Sequence, residues 1–82
     1  MNIAIIGTGY VGLVSGTCFA EMGVNVCCID KDQTKIEALR RGEIPIYEPG
    51  LAELVAKNRA QGRLTFHTDL GEVINEVDIL FI

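Results

Sequence analysis

Short apolar runs alternate along this chain with segments whose apolar residues recur every three or four positions. The first run, NIAII at 2–6, is apolar almost throughout, which is typical of a strand that is buried on both faces. Residues 10–22 then carry a helical pattern, with apolar residues at Val11, Val14, Cys18 and Met22 and Leu13 beside them. The whole pattern predicts strands at 2–6, 24–30, 63–68 and 78–82, and helices at 10–22, 31–42, 51–62 and 70–77.

The alternation of strands and helices predicts the class of fold. Strands separated by helices form parallel sheets with right-handed crossovers, and the helices cover the faces of the sheet. We therefore expect an α/β protein with about four strands of a doubly wound parallel sheet. The last predicted strand, 78–82, is apolar and no covering element follows it. We expect residues 1–82 to be the N-terminal portion of a larger domain.

Four glycines stand where the first helix should begin, although each costs a helix about 1 kcal/mol relative to alanine. Gly7, Gly9 and Gly12 fit the pattern G-x-G-x-x-G between a strand and a helix. In this pattern the first glycine makes a tight turn, the second lets a pyrophosphate approach the backbone, and the third lets the helix pack closely on the sheet. Free amides and the helix dipole then favour the phosphates. The motif predicts a Rossmann-type dinucleotide site. Gly16 and Ala20 follow Gly12 at helical spacing, so we assign Gly16 to packing and expect these small residues to form the face of the helix that lies against the strands.

Asp30 ends the second predicted strand, close to the offset of about 20 residues at which such sites carry an acidic residue. Its carboxylate is expected to accept hydrogen bonds from the adenosine ribose. A 2′-phosphate at ~4 Å would be repelled by about 4 kcal/mol at an effective dielectric constant of about 20. This favours NAD over NADP, although Lys31 would soften the penalty. The alternative is that Asp30 only caps the following helix.

Composition and charge exclude several classes of function. The net charge of −4 argues against a nucleic-acid-binding surface, which would be basic. No apolar run reaches the roughly 18–20 residues that span a membrane, and the N-terminus does not have the pattern of a signal peptide. The three cysteines, Cys18, Cys27 and Cys28, lie within apolar patterns and are expected to be buried thiols. His67 has no partner at ligand spacing. We expect a cytoplasmic protein with no metal site.

Beyond the glycine motif, several stretches resemble the N-terminal domain of the UDP-glucose/GDP-mannose dehydrogenase family. They are NIAIIGTGYVGLVSG at 2–16, KIEALRRGEIPIYEPGLAEL at 35–54, GRLTFHTDL at 62–70 and VDILFI at 77–82. The loop PIYEPGL at 45–51 is the most specific of these signals, because many dehydrogenases share the glycine-rich turn in outline. The resemblance covers essentially the whole chain.

The resemblance implies an enzyme that oxidises the C6 alcohol of a nucleotide sugar to a carboxylate, using two NAD in two hydride transfers. The catalytic cysteine of such enzymes, with its lysine, asparagine and aspartate, lies in a later segment, so no catalytic residue is expected here. The implied partners of the full-length protein are a UDP-sugar substrate and further copies of itself. Members acting on UDP-glucose are the most similar, members acting on GDP-mannose are the alternative, and a non-catalytic NAD-sensing module is a third possibility.

The same resemblance implies cofactor-binding positions. Val11, Asp30 and Lys35 match the positions that contact NAD in the family, together with the turn around 7–12. Tyr10 lies at the start of the helix and is expected to pack near the pyrophosphate. For the loop around Glu48, two interpretations stay open: it lines the cofactor cleft, or it contacts a neighbouring domain.

Overall fold

The computed structural model describes residues 1–45 and 47–82, so Ile46 of the predicted loop lies outside the described residues. The elements in chain order are β1 (Asn2–Ile6), α1 (Tyr10–Glu21), β2 (Asn25–Ile29), α2 (Gln33–Arg40), α3 (Leu51–Ala60), β3 (Leu64–His67) and β4 (Ile79–Phe81). Two 3₁₀ turns, Leu70–Glu72 and Ile74–Glu76, lie between β3 and β4. No helix within the described ranges is both long enough and apolar enough to cross a membrane.

The four strands form one parallel sheet in the order β3-β2-β1-β4. The chain first builds outward from β1 to β2 and β3, and then returns to place β4 on the other side of β1. This reversal makes the sheet doubly wound, as the sequence predicts. In such sheets a crevice opens at the carboxyl ends of the strands where the winding reverses, which here lies between β1 and β4.

The two faces of the sheet are covered unequally. All three α-helices pack on one face, where Ile3 and Ile5 of β1 join the main hydrophobic core. The opposite face carries a smaller cluster built on Ala4 and Ile29, and the 70–77 segment covers it. Cys28 belongs to the main core, whereas Cys27 packs against the smaller cluster. The prediction that β1 is buried on both faces is therefore confirmed.

Helix α1 turns its small residues to the sheet. Its buried positions are Leu13, Gly16, Thr17 and Ala20, so the prediction that Gly16 and Ala20 lie against the strands is confirmed. Val11 and Met22 are each 74% exposed, and Cys18 is also exposed, so the predicted burial of this thiol is wrong. A Cβ atom at Gly16 would lie 3.0 Å from the Cys28 sulfur and 3.2 Å from Ile5 Cδ1. Small side chains face the sheet because they allow a close approach that larger ones would prevent.

The segment after β3 is not the regular helix that its apolar residues predict. It consists of two 3₁₀ turns, separated where Val73 takes φ −125° and ψ −4°. A 3₁₀ turn has three residues, so Leu70 and Val73 share one side and pack on the sheet. Ile74 falls off this side and is exposed. Asp69 caps the first turn by accepting from the Gly71 amide at 2.9 Å.

A buried polar network attaches α3 to α1 and β3. Asn58 is fully buried, and its side-chain amide donates to Glu21 at 3.1 Å while its oxygen accepts from Arg63 at 2.9 Å. Lys57 also bonds Glu21, at 3.0 Å, rather than the Glu53 carboxylate that its helical spacing predicts. This network attaches the C-terminal end of α3 to the end of α1 and to the residue before β3.

The outer edge of β3 is partly covered. Arg40, at the end of α2, donates two hydrogen bonds from its guanidinium group to the carbonyl of Phe66, at 3.0 and 2.5 Å. On the other edge, β4 leaves Ile79, Leu80 and Phe81 between 39% and 43% exposed. Among the described residues, Arg40 therefore covers part of the β3 edge of the sheet, whereas the residues of the β4 edge stay partly exposed.

Replacing Gly16 with valine should destabilise the protein, because the added atoms would overlap the Cys28 sulfur and the Ile5 side chain. Overpacking of this kind lowers the free energy of unfolding by about 2 kcal/mol. Urea denaturation followed by circular dichroism would measure it. Cys18→Val is the matched control, since it places the same side chain on the exposed side of α1. Equal stability of the two variants would contradict the close packing of α1.

Candidate functional site

Each of the three motif glycines has a different environment. Gly7 has φ +100°, which side chains disfavour, and its amide donates to the Ile29 carbonyl at 2.7 Å, tying the turn to β2. A Cβ atom at Gly12 would overlap the Gly7 carbonyl oxygen. Gly9 differs from both, because its φ of −71° suits any residue and a Cβ there would meet no described atom within 4 Å. The described fold itself does not require glycine at position 9, which points to the approach of a ligand.

The amides of the turn divide into two groups. Those of Gly7 and Thr8 are used inside the protein, by Ile29 and Asp30. Within residues 1–45 and 47–82, the next four amides, those of residues 9–12, find no acceptor. These groups belong to the first turn of a twelve-residue helix that carries no acidic side chain there. Their arrangement suits a phosphate, which accepts hydrogen bonds and is favoured by the helix dipole.

Asp30 follows β2 directly, and its carboxylate is held by the glycine-rich turn. One oxygen, Oδ2, accepts from the Thr8 amide at 3.0 Å and from the Thr8 hydroxyl at 2.7 Å. The other, Oδ1, accepts from the Asp32 amide at 3.0 Å. The Lys35 ammonium group lies 3.4 Å from Oδ2. The motif and the acidic residue, which are 22 residues apart, are thus in direct contact.

These contacts keep Asp30 ionised. Partial burial alone would raise its pKa, but the hydrogen bonds from Asp32 and Thr8 and the charge of Lys35 outweigh it, and the pKa falls well below its ordinary value. A carboxylate whose pKa is lower in the folded state stabilises the fold above its unfolded pKa and loses that contribution as the pH falls. At neutral pH the group therefore presents a fixed negative charge at the tip of β2.

The capping role considered for Asp30 belongs to another residue. Asp32 is the N-cap of α2, and its Oδ1 accepts from the Lys35 amide at 3.1 Å. The alternative that Asp30 caps this helix is therefore wrong. Its carboxylate serves the glycine-rich turn instead, and Oδ1 has one protein donor among the described residues.

Tyr10 links the glycine-rich turn to the loop before α3. Its hydroxyl donates to Glu48 Oε2 at 3.0 Å, across 38 positions of sequence. This hydrogen bond, with the negative charge of Glu48, raises the pKa of Tyr10 above its ordinary value. The neighbouring Val11 is exposed. The part of the loop around Glu48 therefore lies beside the start of α1. That it lines the cofactor cleft and that it contacts a neighbouring domain both stay predictions.

Two open grooves lie at the carboxyl ends of the strands, one on each side of Ile6 and Gly7. The first, about 670 Å³, runs along the start of α1 and reaches Phe81. The second, about 550 Å³, is lined by Asp30 together with Leu70 and other residues. Both reach Ile82. The residues with open amides line the first groove and Asp30 lines the second, with Ile6 and Gly7 between them.

Two further residues need comment. His67 lies apart from the glycine-rich turn, and Thr8 belongs to the turn but was not singled out from the sequence. His67 lies within 3.0 Å of the Thr65 hydroxyl and 3.8 Å from Glu72, and no cluster of three metal-ligating side chains occurs in the described part of the chain. Thr8 is a variable position of the glycine motif, so the motif gave no reason to single it out. The signal that would have found it is a hydroxyl residue one position after the first glycine.

Comparison with known proteins assigns this arrangement to a family. All of residues 1–82 match the model of the UDP-glucose/GDP-mannose dehydrogenase family, NAD binding domain. The UDP-glucose 6-dehydrogenase TuaD of Bacillus subtilis is 61% identical over 81 residues, covering 99% of this chain and 18% of the relative. The UDP-glucose 6-dehydrogenase of Rhizobium meliloti is 57% identical over 82 residues, covering 100% of this chain and 19% of the relative.

Among solved structures, a ternary complex of GDP-mannose dehydrogenase from Pseudomonas aeruginosa superposes with a TM-score of 0.93 at 40% identity, covering 100% of this chain and 19% of that one. The chain thus spans about a fifth of the length of its relatives. The match over its full length identifies NAD as the cofactor of this domain. The chain belongs to the UDP-glucose/GDP-mannose dehydrogenase family, a family of sugar-nucleotide dehydrogenases, and corresponds to its NAD-binding domain.

Proposed function

We propose that this chain is the N-terminal part of the NAD-binding domain of a UDP-glucose 6-dehydrogenase, which oxidises UDP-glucose to UDP-glucuronate with two NAD. The observation that carries the proposal is the contact between an ionised Asp30 and a glycine-rich turn whose next four amides are open. The choice of UDP-glucose rests on identities of 61% and 57% to UDP-glucose 6-dehydrogenases, against 43% to a GDP-mannose 6-dehydrogenase. GDP-mannose remains the second candidate substrate.

In this proposal the residues of the chain bind and orient the cofactor. NAD itself supplies the chemistry by accepting the hydride. The open amides at Gly9 to Gly12 hold the pyrophosphate, and the missing side chain at Gly9 leaves space for it. Asp30 accepts hydrogen bonds from the adenosine ribose, and Lys35 lies close enough to share that region. Tyr10 and Val11 occupy the exposed start of α1 beside the same amides.

We also propose that the sheet continues beyond β4 in the full-length protein. Arg40 covers the outer edge of β3, whereas β4 keeps an apolar, partly exposed face. Natural proteins protect edge strands that face solvent. An edge strand left open in this way favours a further strand beside it, and the chain spans only about a fifth of the length of its relatives, so residues 1–82 would be a portion of the domain. The catalytic cysteine and the residues that bind the sugar would then lie in the remaining polypeptide.

The partners and the cellular location of the full-length protein follow from the same proposal. Its partners would be the UDP-sugar and further copies of itself. A cytoplasmic location agrees with the three free thiols of the described residues, since a reducing compartment keeps thiols unpaired.

The full-length protein should oxidise UDP-glucose and produce about two NADH for each sugar consumed, because an alcohol becomes a carboxylate in two steps. Absorbance at the NADH band, with product identified by mass spectrometry, would measure this stoichiometry. GDP-mannose is the comparison substrate. The 82-residue chain by itself should give no turnover. NAD binding by the full-length protein without oxidation of any nucleotide sugar would instead identify a sensing module.

Asp30→Ser should weaken NAD binding and narrow the preference for NAD over NADP. A hydrogen bond to a charged group contributes about 1.5–3 kcal/mol, so a loss of roughly tenfold to a hundredfold is expected. Titration calorimetry of the full-length protein with each cofactor would measure both effects. Asp32→Ser is the matched control, since it removes a neighbouring carboxylate but keeps a good N-cap. Unchanged cofactor preference in Asp30→Ser would refute the assignment.

A further inference from the structure

Thr8 joins the glycine-rich turn to the tip of β2 with two hydrogen bonds to a single carboxylate oxygen. Its amide lies 3.0 Å and its hydroxyl 2.7 Å from Asp30 Oδ2. The residue is fully buried, so water does not compete for these bonds. The hydroxyl contact is the shortest of the hydrogen bonds that Asp30 makes with the described residues.

We propose that Thr8 is a positioning residue, which fixes the Asp30 carboxylate so that Oδ1 accepts a hydrogen bond from the adenosine ribose. This orientation restricts the cofactor to NAD. The inference rests on the proposed function and adds a residue to it. A carboxylate accepts about four hydrogen bonds, two at each oxygen. Thr8 donates two hydrogen bonds to Oδ2, where the Lys35 ammonium group also lies at 3.4 Å, and the Asp32 amide takes one place on Oδ1. The remaining place on Oδ1 is the one that a ribose hydroxyl can use.

The same two hydrogen bonds from Thr8 to Asp30 prevent the site from accepting a 2′-phosphate. An aspartate that is free to rotate about its side-chain torsions can move its charge away from an incoming anion. Asp30 cannot do so without breaking both bonds to Thr8. The Lys35 ammonium, at 3.4 Å, neutralises the carboxylate only in part because it is itself partly exposed to water. Cofactor selection therefore depends on the hydroxyl at position 8 as well as on the charge at position 30.

The chain contains a matched control for this role. Thr17 is also fully buried, and its hydroxyl also makes one short hydrogen bond, of 2.8 Å, to the carbonyl of Leu13. That bond lies inside α1 and does not involve Asp30. Replacing either threonine with valine removes a buried hydroxyl and keeps the shape of the side chain. A general effect of losing such a hydroxyl would be common to both variants, whereas an effect on cofactor choice would be specific to Thr8.

The test compares Thr8→Val, Thr8→Ser and Thr17→Val in the full-length protein, with KM and kcat measured for NAD, NADP and UDP-glucose. Thr8→Val should raise KM for NAD about tenfold and reduce the preference for NAD over NADP, with kcat at saturating NAD nearly unchanged. Thr8→Ser keeps the hydroxyl and should restore both quantities to within about twofold of the original protein. Thr17→Val should leave KM for both cofactors unchanged. Identical cofactor kinetics in Thr8→Val and Thr17→Val would overturn the proposal.

Two further measurements distinguish a failure of the Thr8 proposal from a failure of the proposed function. Calorimetric titration with NAD and NADP follows binding without turnover, so it tests Thr8 even if UDP-glucose is not the substrate. If Thr8→Val does not fold, the pair Thr8→Ala and Thr8→Ser isolates the hydroxyl in side chains of similar size. Equal NAD affinity in that pair would overturn the role of Thr8, and an original protein that binds no NAD would overturn both proposals.

Discussion

The close approach of α1 to the sheet is the constraint on which the rest of the structure depends. At Gly12 and Gly16 any side chain would meet the Gly7 carbonyl, the Cys28 sulfur or the Ile5 side chain. This approach carries the first turn of α1 to the carboxyl ends of β1 and β2. The glycine-rich turn and the tip of β2 consequently lie in contact, although they are separated in the chain. A helix with ordinary side chains at these positions would stand farther from the sheet and would separate the two halves of the site.

The candidate site also shows how a charge is kept at low cost beside an apolar core. Burial by itself opposes the ionised form of Asp30, but three hydrogen bonds from Thr8 and Asp32 outweigh this effect. The spacing of the glycines and of Asp30 was enough to predict that they belong to one site. It was not enough to predict Thr8, because the motif allows any residue there. In the structure the cap of α2 is Asp32, which leaves the Asp30 carboxylate to the glycine-rich turn.

The fold was predictable where the spacing of apolar or small residues is regular, and was mispredicted where that regularity is broken. The parallel, doubly wound sheet follows from the alternating elements, and the buried run in β1 is visible directly. The face of α1 that lies against the sheet follows from the spacing of Gly12, Gly16 and Ala20, because contact with the sheet requires small residues. The 70–77 segment was mistaken because its apolar spacing suits an α-helix, while the break at Val73 divides it into two 3₁₀ turns.

The position of β4 sets the order in which this sheet can assemble as the polypeptide is synthesised. Strands β1, β2 and β3 pair with neighbours that are close in the chain, whereas β4 pairs with β1 across more than 70 residues. Distant pairings carry a larger loss of chain entropy and form late. We therefore expect the glycine-rich turn and the tip of β2 to come together before β4 pairs with β1. The crevice between β1 and β4 would then form last, once the most distant strand has joined the sheet.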